Sequence, residues 1–171
     1  MNSNDKITAY SNIQDYDVKK QWDNKEKWIE LKPDSQTKKF SWIPLNIGAV
    51  YRVILCEEIV NFEVAICKSE HKITGSVPKN SIVSVGKTKN LSDRMKAHFS
   101  RSKINSNRLL TRLKYIFPQA DGLKWLSEMI LSNKIKIEYI QINDKEWWKR
   151  DLLESYGKAI SGCLFDLEIE H

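Results

Sequence analysis

The sequence predicts an α/β domain of the α+β kind: a small central sheet of three or more strands, mixed or antiparallel, flanked by helices and preceded by an N-terminal extension. Three observations lead there. Short runs rich in β-branched residues follow one another between positions 48 and 86, and helix-forming segments take over from position 91, with apolar residues at helical spacing from position 107. A later stretch, 134–142, alternates apolar and charged side chains before a last helix begins. At 171 residues the chain is long enough for one core and short for two full domains.

Residues 1–45 are polar and of mixed charge, with Trp22, Trp28 and Trp42 set at intervals without a clean period. Free tails rarely carry so much tryptophan, so this extension is expected to dock on the domain formed by 46–171, with a short helix across 17–31. The apolar run 48–55 reads as the first strand, and 61–68 and 81–86 as the next two, with Gly75 and Pro78 turning the chain between them. A helix follows at 91–99, with an Asn or Ser available to cap it. Leu109, Leu110, Leu113 and Ile116 mark a second helix at 107–117, stopped by Pro118; Leu123, Leu126, Met129 and Ile130 mark a third at 121–131.

After the strand at 134–142, Asn143 and Glu146 resemble a capping box for the final helix. Trp148, Leu152, Leu153 and Tyr156 line its expected buried face, and Gly157 is expected to weaken its end.

Composition narrows the class. Hydrophobic residues at 41% and charged residues at 29% exclude disordered and fibrous chains. No apolar run approaches the roughly 18–20 residues of a membrane span, and the start MNSNDK lacks a signal-peptide plan, so a cytoplasmic protein without membrane contact is expected. Cys56, Cys67 and Cys163 are too widely spaced for a zinc site or a disulfide framework and read as reduced thiols. The net charge of +6 favours an anionic partner. Lys87, Lys89, Arg94, Lys96, Arg101, Lys103, Arg108, Arg112 and Lys114 crowd one segment, opposed only by Asp93. They form either a phosphate-binding patch or solvated helix faces.

Val50-Tyr51-Arg52-Val53 on the first strand, and the run Val83 to Leu91 followed by Arg94 and His98, carry a specific resemblance. Together they resemble the GIY-YIG nuclease family over about 120 residues, from Gly48 to about Asp166. The sequence Gly86-Lys87-Thr88 is no Walker loop, because the preceding Gly-rich run is missing.

The resemblance implies a metal-dependent endonuclease that hydrolyses phosphodiesters in nucleic acid, double-stranded DNA being the expected partner. Tyr51 would orient or activate the attacking water, a role that needs a nearby cation because a free phenol has a pKa of roughly 10. Arg94 would hold phosphate oxygens in its planar fork. His98, four residues on and so on the same helical face, either assists proton transfer or packs as a hydrogen-bonded core histidine.

Ala49 stands where the first family glycine is usual, and Ser84 stands where the second tyrosine is usual, with a hydroxyl able to bind water or phosphate. Lys149 stands where the metal-holding glutamate of the last helix is usual; Lys87, Lys89, Lys96, Arg101 and Lys149 are the expected nucleic-acid contacts. Mg²⁺ or Mn²⁺ would need a carboxylate, for which Glu154 and Glu146 are the candidates. Helical geometry puts Lys149 within the expected buried arc and Glu154 on the solvated side. The asparagine usual beyond that helix has Asp166 as its nearest counterpart, and the distance from Tyr51 to Ser84 implies an inserted hairpin around 57–72. Two other readings use the same residues: a catalytically inactive nucleic-acid-binding or regulatory domain, and a protein-interaction module built on the N-terminal tryptophans.

Overall fold

A computed structural model describes residues 15–40, 46–65, 72–99, 108–117 and 119–161. Its centre is a four-stranded, wholly antiparallel sheet. Strand β2 (Ala49–Leu55) lies in the middle, with β5 (Ile82–Thr88) on one side and β6 (Ile135–Gln141) on the other. The two-residue strand β1 (Ile29–Glu30) adds to the outer edge of β6. Strands β3 (Ile59–Ala65) and β4 (Lys72–Val77) pair only with each other, as a separate hairpin between β2 and β5.

Gly75 therefore lies within a strand and pairs with Phe62, whereas the sequence placed it in a turn. The chain turns instead at Pro78 to Asn80, where Asn80 adopts a positive φ of 69° that its short polar side chain tolerates. The end of the expected strand 61–68 lies outside the described residues, as do Trp42, Cys67, Arg101, Lys103, Pro118, Cys163 and Asp166. Cys56 is a partly buried thiol whose pKa burial pushes up.

Period-two alternation gives the sheet two buried faces. Ala49, Tyr51, Val53 and Leu55 of β2 and Ile135, Ile137 and Tyr139 of β6 turn to a first core. That core is closed by helices α2 (Leu91–Phe99), α3 (Arg108–Ile116) and α4 (Gly122–Leu131), through Met95, Phe99, Leu113 and Leu126 among others. Val50, Val85 and Ile140 turn the other way, to a second core completed by Leu153 of helix α5 (Trp147–Ser161) and by Trp22 and Trp28. Gly122, at φ 74°, opens α4 in a backbone conformation that glycine adopts at little cost.

The two tryptophans come from the N-terminal segment, which does dock. Its helix is shorter than expected, α1 (Val18–Asp23), capped by the Asp17 carboxylate accepting from the Lys20 N–H. A single 3₁₀ turn, Lys25–Lys27, then leads into β1. Arg52, on the second face of β2, lies 3.8 Å from the Trp28 ring centroid and 5.5 Å from that of Trp22. Its guanidinium also donates to Glu138 at 2.6 Å, and Glu138 accepts from Lys136 at 2.8 Å. No helix among the described residues is long and apolar enough to cross a membrane.

Candidate active site

The first face of the sheet brings together three of the residues singled out above. The Tyr51 phenol lies 2.5 Å from His98 Nε2, and Arg94 Nε donates to the same phenol oxygen at a long 3.4 Å. Tyr51 is 2% exposed and His98 5%, while Arg94 is exposed, so the cluster runs from the core to the surface. Toward a neutral Nε2 the phenol O–H is the donor; once His98 is cationic, Nε2–H donates instead.

Local sequence explains the geometry. In the β2–β5 register Tyr51 pairs with Gly86, and a Cβ at Gly86 would overlap the phenol. The ring therefore folds across the glycine toward α2. That helix begins where Asn90 Oδ1 accepts from the Asp93 N–H, and the Leu91 N–H donates to the Ile47 carbonyl just before β2. Arg94 and His98 then fall one turn apart on a common face.

Ser84 is buried and pairs with Val53, which puts it on the Tyr51 side of the sheet. Lys89 and Lys96 are exposed around α2. Lys87 is not with them. It pairs with Val50 on the second face, donating to Asp151 at 2.9 Å and Glu154 at 3.2 Å of α5. The Asp151 hydrogen bond, partly offset by burial and joined by Glu154, raises its pKa above the ordinary lysine value.

Glu154 is thus no solvated glutamate. Its side chain is only 15% exposed and is shared by Lys87 and, at 3.4 Å, Lys158. The residues of α5 that bury are Trp148, Arg150, Leu153 and Gly157, with Leu152 and Tyr156 half-buried. Arg150, Leu153 and Gly157 share the face turned to the sheet and Trp22, next to Glu154. Trp148 is covered from another direction by Tyr16, edge-on at 5.2 Å. Lys149 donates to Glu146 and lies over the Tyr16 and Trp148 rings. Burial, and then the Glu146 charge, push the Tyr16 phenol up to about 12.

These contacts test the metal implied by the resemblance. Glu154 and Glu146 both sit on or beside α5, across the sheet from Tyr51, and each is held by lysine. Among the described residues no group of three or more His, Cys, Asp and Glu could hold an ion. The donor set among the described residues therefore does not fit a divalent cation at the Tyr51 cluster.

The asparagine that the sequence offers as a cap is Asn90: its side-chain oxygen accepts from the Asp93 N–H at the start of α2, and its amide donates to Asn46 at 2.8 Å. Sequence reasoning passed over Arg150, which is 5% exposed, occupies the space above Gly48 and donates to Asp144 at 2.8 Å. An apolar-face template for α5 hides an inward arginine, and only the glycine that admits it signals its place.

Fold and site together define a small antiparallel α+β domain whose buried phenol–imidazole pair lies beneath an exposed guanidinium on a basic helix. No protein-family model, curated protein or solved structure matches the chain.

Proposed function

We propose that this chain is a GIY-YIG-like domain that cleaves phosphodiester bonds in DNA at the Tyr51–His98–Arg94 cluster. The observation that carries the reading is the single phenol oxygen within 2.5 Å of an imidazole nitrogen and 3.4 Å of a guanidinium nitrogen, drawn from elements over 40 residues apart. His98 accepts the phenol proton, and the neighbouring guanidinium favours the phenolate that results. The phenolate then orients and deprotonates an attacking water. As the water oxygen bonds to phosphorus, the bond to the leaving sugar oxygen breaks, and that oxygen takes up, through solvent, the proton passed to His98. Arg94, exposed and carrying Nη donors beyond the Nε it gives to Tyr51, steadies the charge that builds on the phosphate. Lys89 and Lys96 attract the polyanion toward the same helix.

Supercoiled plasmid incubated with the purified protein in Mg²⁺, in Mn²⁺ or in EDTA tests the proposal. Nicked circles are expected from the natural chain, and a loss of about 10²-fold or more in rate from Arg94→Ala and from Tyr51→Phe. Plasmid left intact under all three conditions overturns it.

One observation favours a second reading, the binding domain without turnover: Glu154 of α5 is paired with Lys87 and Lys158, and Glu146 just before the helix with Lys149. In that case DNA is retained uncut, with an affinity that falls steeply with salt and falls further in Arg94→Ala.

A further inference from the structure

The end of the sheet at which β2 begins and β6 finishes holds a depression of about 490 Å³, lined by Asn46, Gly48, Gln141, Asn143 and Asp144 among others. It abuts the helix that carries Arg94. Asn46 accepts from the Asn90 amide, and Asn90 in turn accepts the Arg94 N–H through its carbonyl at 3.1 Å. One helical turn, about 6 Å along the axis, therefore separates the wall of the depression from the arginine backbone.

The wall is mixed: Ile47 and Ile142 line it beside the amides, and its two carboxylates, Asp144 and Glu146, are paired. Asp144 is neutralised by Arg150 and Glu146 by Lys149. Asn46 and Asn143 each use the carbonyl oxygen within the protein, the latter accepting from the Lys145 N–H at 3.1 Å, so their NH₂ groups offer donors to a ligand. Gln141 adds a third exposed amide. The residue after Glu146 in the chain is Trp147, 44% exposed, the one aromatic among the exposed large hydrophobic side chains of the described residues.

We propose that this depression is a subsite for an unstacked DNA base. The amides donate to carbonyl oxygens on the base edge and Trp147 supplies a stacking surface. The subsite rests on the reading of Arg94 as the phosphate-holding residue: the nucleotide whose phosphate meets Arg94 delivers a neighbouring base into it. The volume is ample for a base, and a base standing out of the stack is the form that enters a pocket of this kind.

Fluorescence anisotropy with a short oligothymidylate and with an abasic strand of equal charge separates this claim from the one beneath it. Thymine presents two carbonyl acceptors, and one stacked base is worth about tenfold in affinity. The natural chain is expected to prefer oligothymidylate by about that factor. Gln141→Ala and Trp147→Ala, both at exposed positions, should bring the ratio toward one while leaving the abasic strand's affinity unchanged; Trp147→Phe should keep most of the preference. Arg94→Ala should weaken both strands equally. If the natural chain binds the two strands alike, or if the preference survives both alanine variants, the subsite is wrong and the phosphate reading stands. If neither strand is bound, both fall together.

Discussion

At Gly86 the absence of a side chain decides where the phenol lies. Tyr51 is all but inaccessible, and its oxygen reaches His98 only because nothing projects from the paired residue on β5. Gly86→Ala is therefore expected to push the ring off His98 and to cost about 1–3 kcal/mol through crowding. In the plasmid assay it should match Tyr51→Phe, and chemical denaturation should show the loss of stability; a variant that nicks normally would mean that the phenol position does not matter. Tyr51, Arg94 and His98 could be named from the sequence through the resemblance, and the four-residue spacing put Arg94 and His98 on one helical face. The face of Lys87 could not be named in this way. Odd and even positions on β5 go to opposite sides of the sheet, so neighbours in one motif, Gly86 and Lys87, end on different cores.

Among the elements, α5 departs most from its sequence pattern. Gly157 does not end it. The helix continues to Ser161 because the Trp22 ring packs where a Cβ would project. In an isolated helix Gly157→Ala would stabilise; here it is expected to destabilise by about 1–3 kcal/mol, as read from the urea midpoint, with Trp22→Leu relieving part of the penalty. A stabilised variant would show that α1 does not press on this face. Strand β2 was legible as a short β-branched apolar run, β6 by an alternation that slips at Ile140, α2 by its helix-forming residues and cap, and α3 and α4 by the helical spacing of their apolar residues. The hairpin strand β4 was less so, since Gly75 reads as a turn when the partner strand that accommodates it is unknown. Helix α5 was obscured by being covered on two sides, by the sheet and by Tyr16, so that no single apolar stripe marks its buried surface.

For the molecule as a whole, the second core is fastened by a charge. Burial pushes the Glu138 carboxyl up, but hydrogen bonds from Lys136 and Arg52, together with their charges, outweigh it, and the group titrates below its ordinary 4.5. A carboxyl whose pKa is lower folded than unfolded adds stability above the unfolded value and loses it as pH falls through the folded one. Unfolding free energy is thus expected to decline as the medium is acidified below about 4.5. Glu138→Gln should flatten part of that decline and cost about 1.5–3 kcal/mol at neutral pH, because Arg52 loses its anion while still stacked on Trp28. Urea titrations at a series of pH values check both; an unchanged slope in the variant would remove Glu138 from the account.

The position of β2 between β5 and β6 also bears on how the chain is made. Arg52 and Glu138 are 86 residues apart. At roughly 5–20 residues per second, a ribosome needs about 4–17 s to deliver the second after the first. Through that interval the middle strand of the nascent chain has one open edge, a row of unpaired amides flanked by valine and isoleucine. Until β6 arrives, such an edge is a template for pairing with another chain, and the finished molecule removes it by setting β2 in the middle of the sheet.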